Sequence, residues 1–256
     1  MSKTGAEPQP ERSSTTAMRG AASAVPVRMG LVAALEVLRD VRRNELVVTT
    51  MGSAREWPRL STHPLDLHYL PSAMGQAPAL GLGLALARPD RHVIVLNGDG
   101  SMLMNLGVLV TIAASGATNF TLVVLDNGIY EVTGGQRTAA AAADVSAAPG
   151  AAMTENAVAA PRRAGALSGG AGRSVDFAAF AQAAGWPGVA RYEDLTAWRR
   201  EVSAALALPG PRMIVLDVAP VGPDYHLEIP GPLPPRLAAF RAALAASGSR
   251  AGTQPE

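Results

Sequence analysis

Two uninterrupted runs of apolar and β-branched residues near the middle of the chain predict buried strands. The first run covers residues 92–97 and the second covers residues 120–125. Between them, residues 101–115 carry apolar side chains at helical spacing, and Gly116 is suited to end the helix. A strand, a helix and a strand of these lengths predict a βαβ unit, whose two strands are parallel and joined by a right-handed crossover.

The remaining hydrophobic patterns extend this unit into a larger α/β protein. Predicted helices cover residues 29–41, 77–87, 176–184, 195–208 and 237–246, and further predicted strands cover residues 45–50, 189–191 and 212–218. Because strands and helices alternate along the chain, we expect a three-layer, doubly wound fold with a mainly parallel sheet.

Composition separates a folded region from segments of low complexity. Residues 1–27 are rich in Ser, Ala, Thr and Pro and predict a disordered tail without a signal peptide. Residues 28–222 hold the helix and strand patterns and predict the functional domain. Within it, residues 137–174 have almost no large apolar side chains and predict an irregular insertion, either a linker or a mobile lid. Residues 223–256 predict a Pro-rich extension with a short helix.

Composition and charge also exclude several classes of function. The 256 residues are 48% hydrophobic but 4% aromatic, so one core of small aliphatic side chains is expected. A net charge of +1 gives no reason to expect nucleic acid or a membrane surface as a partner. Without cysteine, the chain cannot form disulfides or ligate an iron–sulfur cluster through cysteine. No apolar run is long enough to cross a bilayer, and we expect a cytoplasmic protein.

Polar residues and glycines follow both middle strands where each strand ends. Gly-Asp-Gly-Ser occupies residues 98–101, and Asp-Asn-Gly occupies residues 126–128. The carboxyl ends of parallel strands meet at one edge of a sheet, and glycine lets the backbone approach a phosphate closely. Carboxylate and amide oxygens suit Mg²⁺, which takes its other ligands from phosphates and water. The spacing therefore predicts a magnesium diphosphate site.

Together these segments resemble the diphosphate-binding motif of thiamine diphosphate enzymes. The resemblance implies thiamine diphosphate and Mg²⁺ as cofactors, with Asp99, Asn127 and the backbone carbonyl of Ile129 as metal ligands. It also implies that Ser101 donates a hydrogen bond to the diphosphate. The implied cofactor-binding residues are Ser72, Met74, Gly98, Asp99, Gly100, Ser101, Asn127, Ile129 and Tyr130.

Residues 72–75 resemble the segment of this family whose bulky apolar residue supports thiamine in a bent shape. Met74 matches that residue, and Ser72 matches the position whose carbonyl accepts from the aminopyrimidine. The family usually has glycine where this chain has Ser72. Taken alone, Met74 would fit a core gap and Gly-Asp-Gly would fit a turn, but the joint spacing favours the cofactor site.

Residues 81–87 and 103–107 resemble the small subunits of decarboxylases that act on sulfopyruvate or phosphonopyruvate. The resemblance implies a thiamine diphosphate-dependent decarboxylase of a 3-substituted pyruvate, and it leaves open which 2-oxo acid is used. In that family the glutamate that activates the cofactor lies in a separate pyrimidine-binding domain. The resemblance therefore implies a hetero-oligomer in which a partner subunit supplies that domain.

Other assignments remain open from the sequence. Residues 133–136 also resemble the β subunits of 2-oxo acid ferredoxin oxidoreductases, although those proteins generally bind clusters through cysteine. An acetolactate synthase-like subunit and a non-catalytic scaffold are further alternatives. Gly81 and Gly83 would suit a dinucleotide loop of an oxidoreductase, but they lie inside a helical run, so close helix packing is the favoured explanation.

Candidate substrate residues rest on weaker patterns. His68 is a candidate catalytic proton shuttle, with a solvent-facing loop histidine as the alternative. Arg55 and Arg137 are candidates for binding a sulfonate or phosphonate tail, although surface solvation is favoured for both. Thr133 stands where pyruvate decarboxylase-type relatives carry an acid, which argues against simple conversion of pyruvate to acetaldehyde.

Overall fold

The computed structural model describes residues 28–139, 141, 175–221 and 230–248. Its strands are β1 (Leu46–Thr50), β2 (Asp66–Tyr69), β3 (Val93–Gly98), β4 (Phe120–Asp126), β5 (Ile129–Tyr130), β6 (Gln136–Arg137), β7 (Gly188–Tyr192) and β8 (Arg212–Asp217). Its α-helices are α1 (Leu31–Val41), α2 (Ser53–Leu60), α3 (Ala77–Ala87), α4 (Asp99–Leu103), α5 (Val108–Ser115), α6 (Phe177–Ala183), α7 (Leu195–Leu206) and α8 (Leu233–Gly248). The predictions for residues 1–27 and for most of 137–174 lie outside these described ranges.

Six parallel strands form the central sheet in the order β2-β1-β3-β4-β8-β7, while β5 and β6 form a separate antiparallel pair. Both faces of the sheet are covered. On β3, Val93 and Val95 join the core under α3, α5, α6 and α8, whereas Ile94 and Leu96 join the core under α1, α2 and α7. Burial on both faces explains the unbroken apolar runs in the sequence. The predicted three-layer α/β fold is confirmed.

The prediction of one continuous helix over residues 101–115 is wrong. The structure has α4, then a turn at residues 104–107, then α5. Within that turn, the side-chain amide of Asn105 donates to the carbonyl of Gly75 at 3.1 Å. The interruption therefore joins this connection to residues 72–75, a contact that apolar spacing cannot reveal.

Two elements, α2 and β2, were not predicted from the sequence. The helix α2 is mostly polar and contains Pro58, and β2 is a four-residue edge strand of mixed polarity. At eight and four residues, the two segments are short, so their apolar spacing is a weak signal. The strand predicted over residues 212–218 is present as β8, and it lies between β4 and β7. In the part of the chain described, no helix combines the length and apolar character required to traverse a bilayer.

Gly81 and Gly83 lie on α3 in opposite surroundings. A Cβ atom built on Gly81 would lie 2.2 Å from Val95 Cγ2 and 3.1 Å from the Phe120 ring, whereas one on Gly83 meets nothing within 4 Å. The expected close packing therefore applies to Gly81, where α3 approaches the sheet.

This contrast predicts opposite effects on stability. We expect Gly81→Ala to destabilise the protein by about 1–3 kcal/mol, because the added methyl group overpacks the contact with β3. Gly83→Ala should stabilise α3 by up to ~1 kcal/mol, since alanine is the better helix former and has room there. Thermal unfolding followed by circular dichroism compares the two variants, and equal melting temperatures would contradict the packing explanation.

Candidate functional site

A pocket lies at the carboxyl ends of β1, β3 and β4, where ligands bind in open α/β sheets. Its empty volume is about 470 Å³, including space open to solvent. All of the predicted cofactor-binding residues except Ser72 line this pocket. The two motifs, far apart in sequence, therefore meet because β3 and β4 are parallel neighbours.

Asp99 begins α4 directly after β3, and its side chain is buried. Its Oδ2 accepts a hydrogen bond from the hydroxyl of Thr138 at 2.8 Å, and the backbone N–H groups of Gly100 and Gly128 also donate to its carboxylate. Burial, and then the nearby carboxylate of Asp126, raise the pKa of Asp99 to about 6. Because these three hydrogen-bond donors are neutral, they orient the carboxylate without balancing its charge. A bound cation would provide that balance.

Asn127 follows β4 and is nearly buried. Its side-chain Oδ1 accepts from the backbone N–H of Ile129 at 3.0 Å, and Gly128 has a φ of +79° that permits this tight turn. The guanidinium of Arg28 donates to the backbone carbonyl of Asn127 at 2.9 Å. An amide oxygen has two lone pairs, so Asn127 Oδ1 can accept the hydrogen bond from Ile129 and still ligate a metal.

The turn after β3 contains a hydroxyl group without a described hydrogen-bond partner and two glycines. Ser101 is buried, and its Oγ has no hydrogen-bond partner among the described residues. An unmet buried hydroxyl costs about 1–3 kcal/mol, which an oxygen of a bound ligand would recover. A Cβ on Gly98 would meet nothing within 4 Å, whereas one on Gly100 would lie 2.5 Å from the Tyr130 ring. The backbone at Gly98 therefore leaves room for a phosphate group, whereas the missing side chain at Gly100 makes room for the Tyr130 ring.

This set of donors and acceptors fits a magnesium diphosphate. The described ranges contain no group of three or more His, Asp or Glu side chains suited to holding a metal by themselves. One carboxylate, one amide oxygen and one backbone carbonyl leave the remaining positions around Mg²⁺ for phosphate and water oxygens. The metal roles of Asp99, Asn127 and Ile129 stay predictions that this arrangement supports.

Two predicted residues lie away from the pocket lining. Ser72 does not line it, but its hydroxyl lies 3.1 Å from the hydroxyl of Thr50, a lining residue. His68 points to a different neighbour: its Nδ1 lies 3.0 Å from the hydroxyl of Thr49, and burial lowers its pKa. Since successive side chains on β1 face opposite sides of the strand, Thr49 and Thr50 diverge. The structure therefore does not bring the His68 ring to the pocket.

The candidate tail-binding residues are also outside the lining. Arg55 lies on α2 beside the pocket, and Arg137 is exposed on β6. Thr133 is exposed, and its hydroxyl donates to Gln136 Oε1 at 2.8 Å. The pocket thus contains none of the three side chains that were considered for the substrate.

Further lining residues were not predicted from the sequence, among them Leu31 of α1 and Leu125 of β4. Residues 50–53 form one wall where β1 ends, and Glu131 and Val132 form another. Met-Gly-Ser follows β1 at residues 51–53. A glycine directly after a strand also marks the two predicted motifs, so this segment carried a signal that could have identified it. Glu131 Oε1 accepts from the backbone N–H of Val221 at 3.2 Å, a contact that depends on the chain returning after β8.

Comparison with protein families and known proteins agrees with this geometry. Residues 49–216 match the family described as thiamine pyrophosphate enzyme, C-terminal TPP binding domain. The match includes the last two residues of β1 and all of β3 and β4, and therefore all three strand ends that surround the pocket.

Two curated relatives are decarboxylases. Phosphonopyruvate decarboxylase from Streptomyces viridochromogenes is 46% identical over 131 residues, which cover 50% of this chain and 32% of the relative. Sulfopyruvate decarboxylase subunit beta from Methanothermobacter thermautotrophicus is 44% identical over 117 residues, which cover 45% of this chain and 62% of the relative. The match thus spans less than two thirds of either relative.

A solved structure shares the fold. It is described as a putative thiamin diphosphate-dependent enzyme from Mycobacterium smegmatis, with a TM-score of 0.52 and 21% identity over 76% of this chain and 32% of that chain. From the family match over residues 49–216, this chain belongs to the thiamine pyrophosphate enzymes and carries their C-terminal TPP binding domain.

Proposed function

We propose that this chain is the diphosphate- and magnesium-binding subunit of a thiamine diphosphate-dependent decarboxylase. The observation that carries the proposal is that Asp99, Ser101, Asn127 and the glycine turn surround one pocket. The substrate we propose is a 3-substituted pyruvate such as sulfopyruvate or phosphonopyruvate, because the relatives are named for these acids.

The residues of this chain would act by binding and orientation. The Asp99 carboxylate, the Asn127 amide oxygen and the Ile129 carbonyl would hold Mg²⁺, and Ser101 would donate its hydroxyl proton to a diphosphate oxygen. The hydroxyl of Thr138 would keep its hydrogen bond to Asp99 Oδ2, and this bond would hold the carboxylate in one orientation toward the metal. When bound, thiamine diphosphate supplies the nucleophilic carbon and the electron sink that decarboxylation of a 2-oxo acid requires.

We also propose that a second subunit completes the active site. The name of the archaeal relative, a subunit beta, supports this proposal, since it describes one part of a larger enzyme. His68, our candidate proton shuttle, faces Thr49 instead of the pocket. Within the described residues, the lining offers two carboxyl groups: that of Asp99, which is assigned to the metal, and that of Glu131, which accepts from the backbone N–H of Val221. A pyrimidine-binding partner would supply the activating glutamate.

The experiment measures cofactor binding by the chain and then decarboxylation by the complex that contains it. The full chain is titrated calorimetrically with thiamine diphosphate and Mg²⁺, and proteins that co-purify with it are identified. The resulting complex is assayed for carbon dioxide release from sulfopyruvate, phosphonopyruvate and pyruvate. We expect Mg²⁺-dependent binding, and release from a 3-substituted acid that exceeds release from pyruvate. A complex that binds no cofactor, or that releases no carbon dioxide from these acids, would disprove the proposed function.

Thr138→Val should weaken the Mg²⁺-dependent binding of thiamine diphosphate by about tenfold, because loss of a partner that orients a metal ligand typically costs 10–100-fold in affinity. Thr133→Val is the matched control, since its hydroxyl bonds to Gln136 and lies outside the pocket. Thr138→Ser, which keeps the hydroxyl, should bind normally. Calorimetry at several Mg²⁺ concentrations measures the change, and equal affinities in the two valine variants would refute this role.

A further inference from the structure

The C-terminal helix α8 packs against the edge strand β2. Phe240 is buried in the same core cluster as Leu65 and Leu67, and Leu244 packs against that cluster. The helix is also tied from the other side, where the side chain of Arg88 donates to the carbonyl of Leu244 at 2.8 Å. This helix therefore covers an edge that would otherwise expose unpaired backbone groups.

Arg236 connects α8 to the end of β2. Its Nη1 donates to the carbonyl of His68, its Nη2 donates to the carbonyl of Leu70, and its Nε donates to the carbonyl of Gly231 at 2.7 Å. The backbone turns between these two carbonyls, because the N–H of Leu70 donates to the carbonyl of His68 at 2.9 Å. The planar guanidinium is suited to bridging such a pair, which the single ammonium of lysine cannot do in the same geometry.

The carbonyls that Arg236 holds lie at the start of the segment that carries Met74. Two further contacts hold this segment: Ser72 Oγ lies 3.1 Å from Thr50 Oγ1, and the Asn105 side chain donates to the carbonyl of Gly75 at 3.1 Å. Met74 lines the pocket between these two contacts. The backbone N–H of Ala73 also donates to the hydroxyl of Tyr69 at 3.5 Å. The segment is thus held by several attachments, and Arg236 supplies one from α8.

We propose that Arg236 is a positioning residue that sets the location of Met74 in the cofactor pocket. The family match ends at residue 216, so Arg236 lies outside the matched domain, whereas His68 and Leu70 lie inside it. The inference rests on the proposed function, because Met74 is predicted to support thiamine. Diphosphate alone requires only the wall formed by Asp99, Ser101 and Asn127.

This division of the pocket supplies a selective test. Thiamine diphosphate would use both the diphosphate wall and Met74, whereas inorganic diphosphate with Mg²⁺ would use only the first. A change that acts through Met74 should therefore weaken binding of thiamine diphosphate and spare inorganic diphosphate. A general loss of folding would weaken both ligands.

The full chain is compared with its Arg236→Gln, Arg236→Lys and Arg241→Gln variants, with Arg241 as an exposed control on the same helix. Calorimetry measures Kd for thiamine diphosphate and for inorganic diphosphate, each with Mg²⁺. For Arg236→Gln we expect about tenfold weaker binding of thiamine diphosphate and a change in the Kd of inorganic diphosphate of less than about twofold. Arg236→Lys should be intermediate and Arg241→Gln unchanged. Arg236→Lys also keeps the test readable if Arg236→Gln fails to fold.

Hydrogen exchange provides a second readout that does not depend on ligand. The backbone amides of residues 72–75 should exchange faster in Arg236→Gln than in Arg241→Gln, because the segment loses one attachment. Unchanged affinity for thiamine diphosphate in both Arg236 variants, or an equal loss for both ligands, would overturn the inference. If the unmodified chain binds neither ligand, the proposed function fails, and this inference fails with it.

Discussion

Replacing Asp99 with Asn should abolish Mg²⁺-dependent binding of thiamine diphosphate and at the same time raise the melting temperature of the ligand-free chain. Both effects have one cause. The carboxylate is buried beside Asp126, and its pKa is raised to about 6. Its negative charge is therefore unfavourable in the ligand-free protein and becomes favourable when a cation binds.

The pH dependence follows from the direction of the shift. The folded protein holds the Asp99 proton more tightly than the unfolded chain, whose pKa is near the ordinary 3.8. A shift from 3.8 to about 6 corresponds to about 3 kcal/mol of lost stability in the ionised state, as an order of magnitude. This loss is fully present above about pH 6 and disappears as the pH falls toward 3.8. Asp99→Asn should lack that dependence.

Thermal unfolding near neutral and at about pH 5, with and without thiamine diphosphate and Mg²⁺, measures both effects. Asp90→Asn is the control with the opposite sign. Asp90 is exposed and accepts a hydrogen bond from Arg88, which lowers the pKa of the Asp90 carboxyl to about 2. Asp90→Asn should leave cofactor binding intact and should not stabilise the chain. Retained Mg²⁺-dependent binding in Asp99→Asn would remove Asp99 from the proposed metal site.

Gly100→Ala should weaken binding of thiamine diphosphate by tenfold or more, and it should also lower the melting temperature by several degrees. The added Cβ would lie 2.5 Å from Tyr130 Cδ1 and 2.6 Å from Cε1, so the ring must move. Because Tyr130 lines the pocket, its displacement alters the wall beside the diphosphate turn. Calorimetric titration and thermal unfolding measure the two effects.

Gly107→Ala is the matched control for this change. Gly107 lies a few residues further along the chain, and a Cβ there would meet nothing within 4 Å. We expect its affinity and melting temperature to stay close to those of the unmodified chain. If Gly100→Ala bound thiamine diphosphate as tightly as Gly107→Ala, close approach at this turn would not matter for the site.

Much of the site could be predicted from short stretches of sequence. The strands β3 and β4 are buried on both faces and therefore appear as unbroken apolar runs. Asp99 and Asn127 follow the ends of these strands directly, so a parallel βαβ unit is sufficient to bring them to one edge. The family resemblance added Met74, which does line the pocket.

Other features could not be predicted because they depend on contacts between distant residues. His68 lies on a four-residue edge strand, and its orientation toward Thr49 depends on the pairing of β1 with β2. The turn that divides α4 from α5 forms where Asn105 reaches Gly75. Helical spacing describes which side chains share a face, but it does not register a polar contact made across the fold.

The sequence by itself determined the α/β class, the two central strands and the identity of the polar residues at their ends, because each of these is a local pattern. Only the tertiary structure decided what surrounds those residues. Thr138 reaches Asp99 across 39 positions, and Arg236 reaches His68 across 168. Such contacts exist because packing of helices on a parallel sheet brings remote segments together, and no local pattern of hydrophobic and polar residues encodes which segments meet.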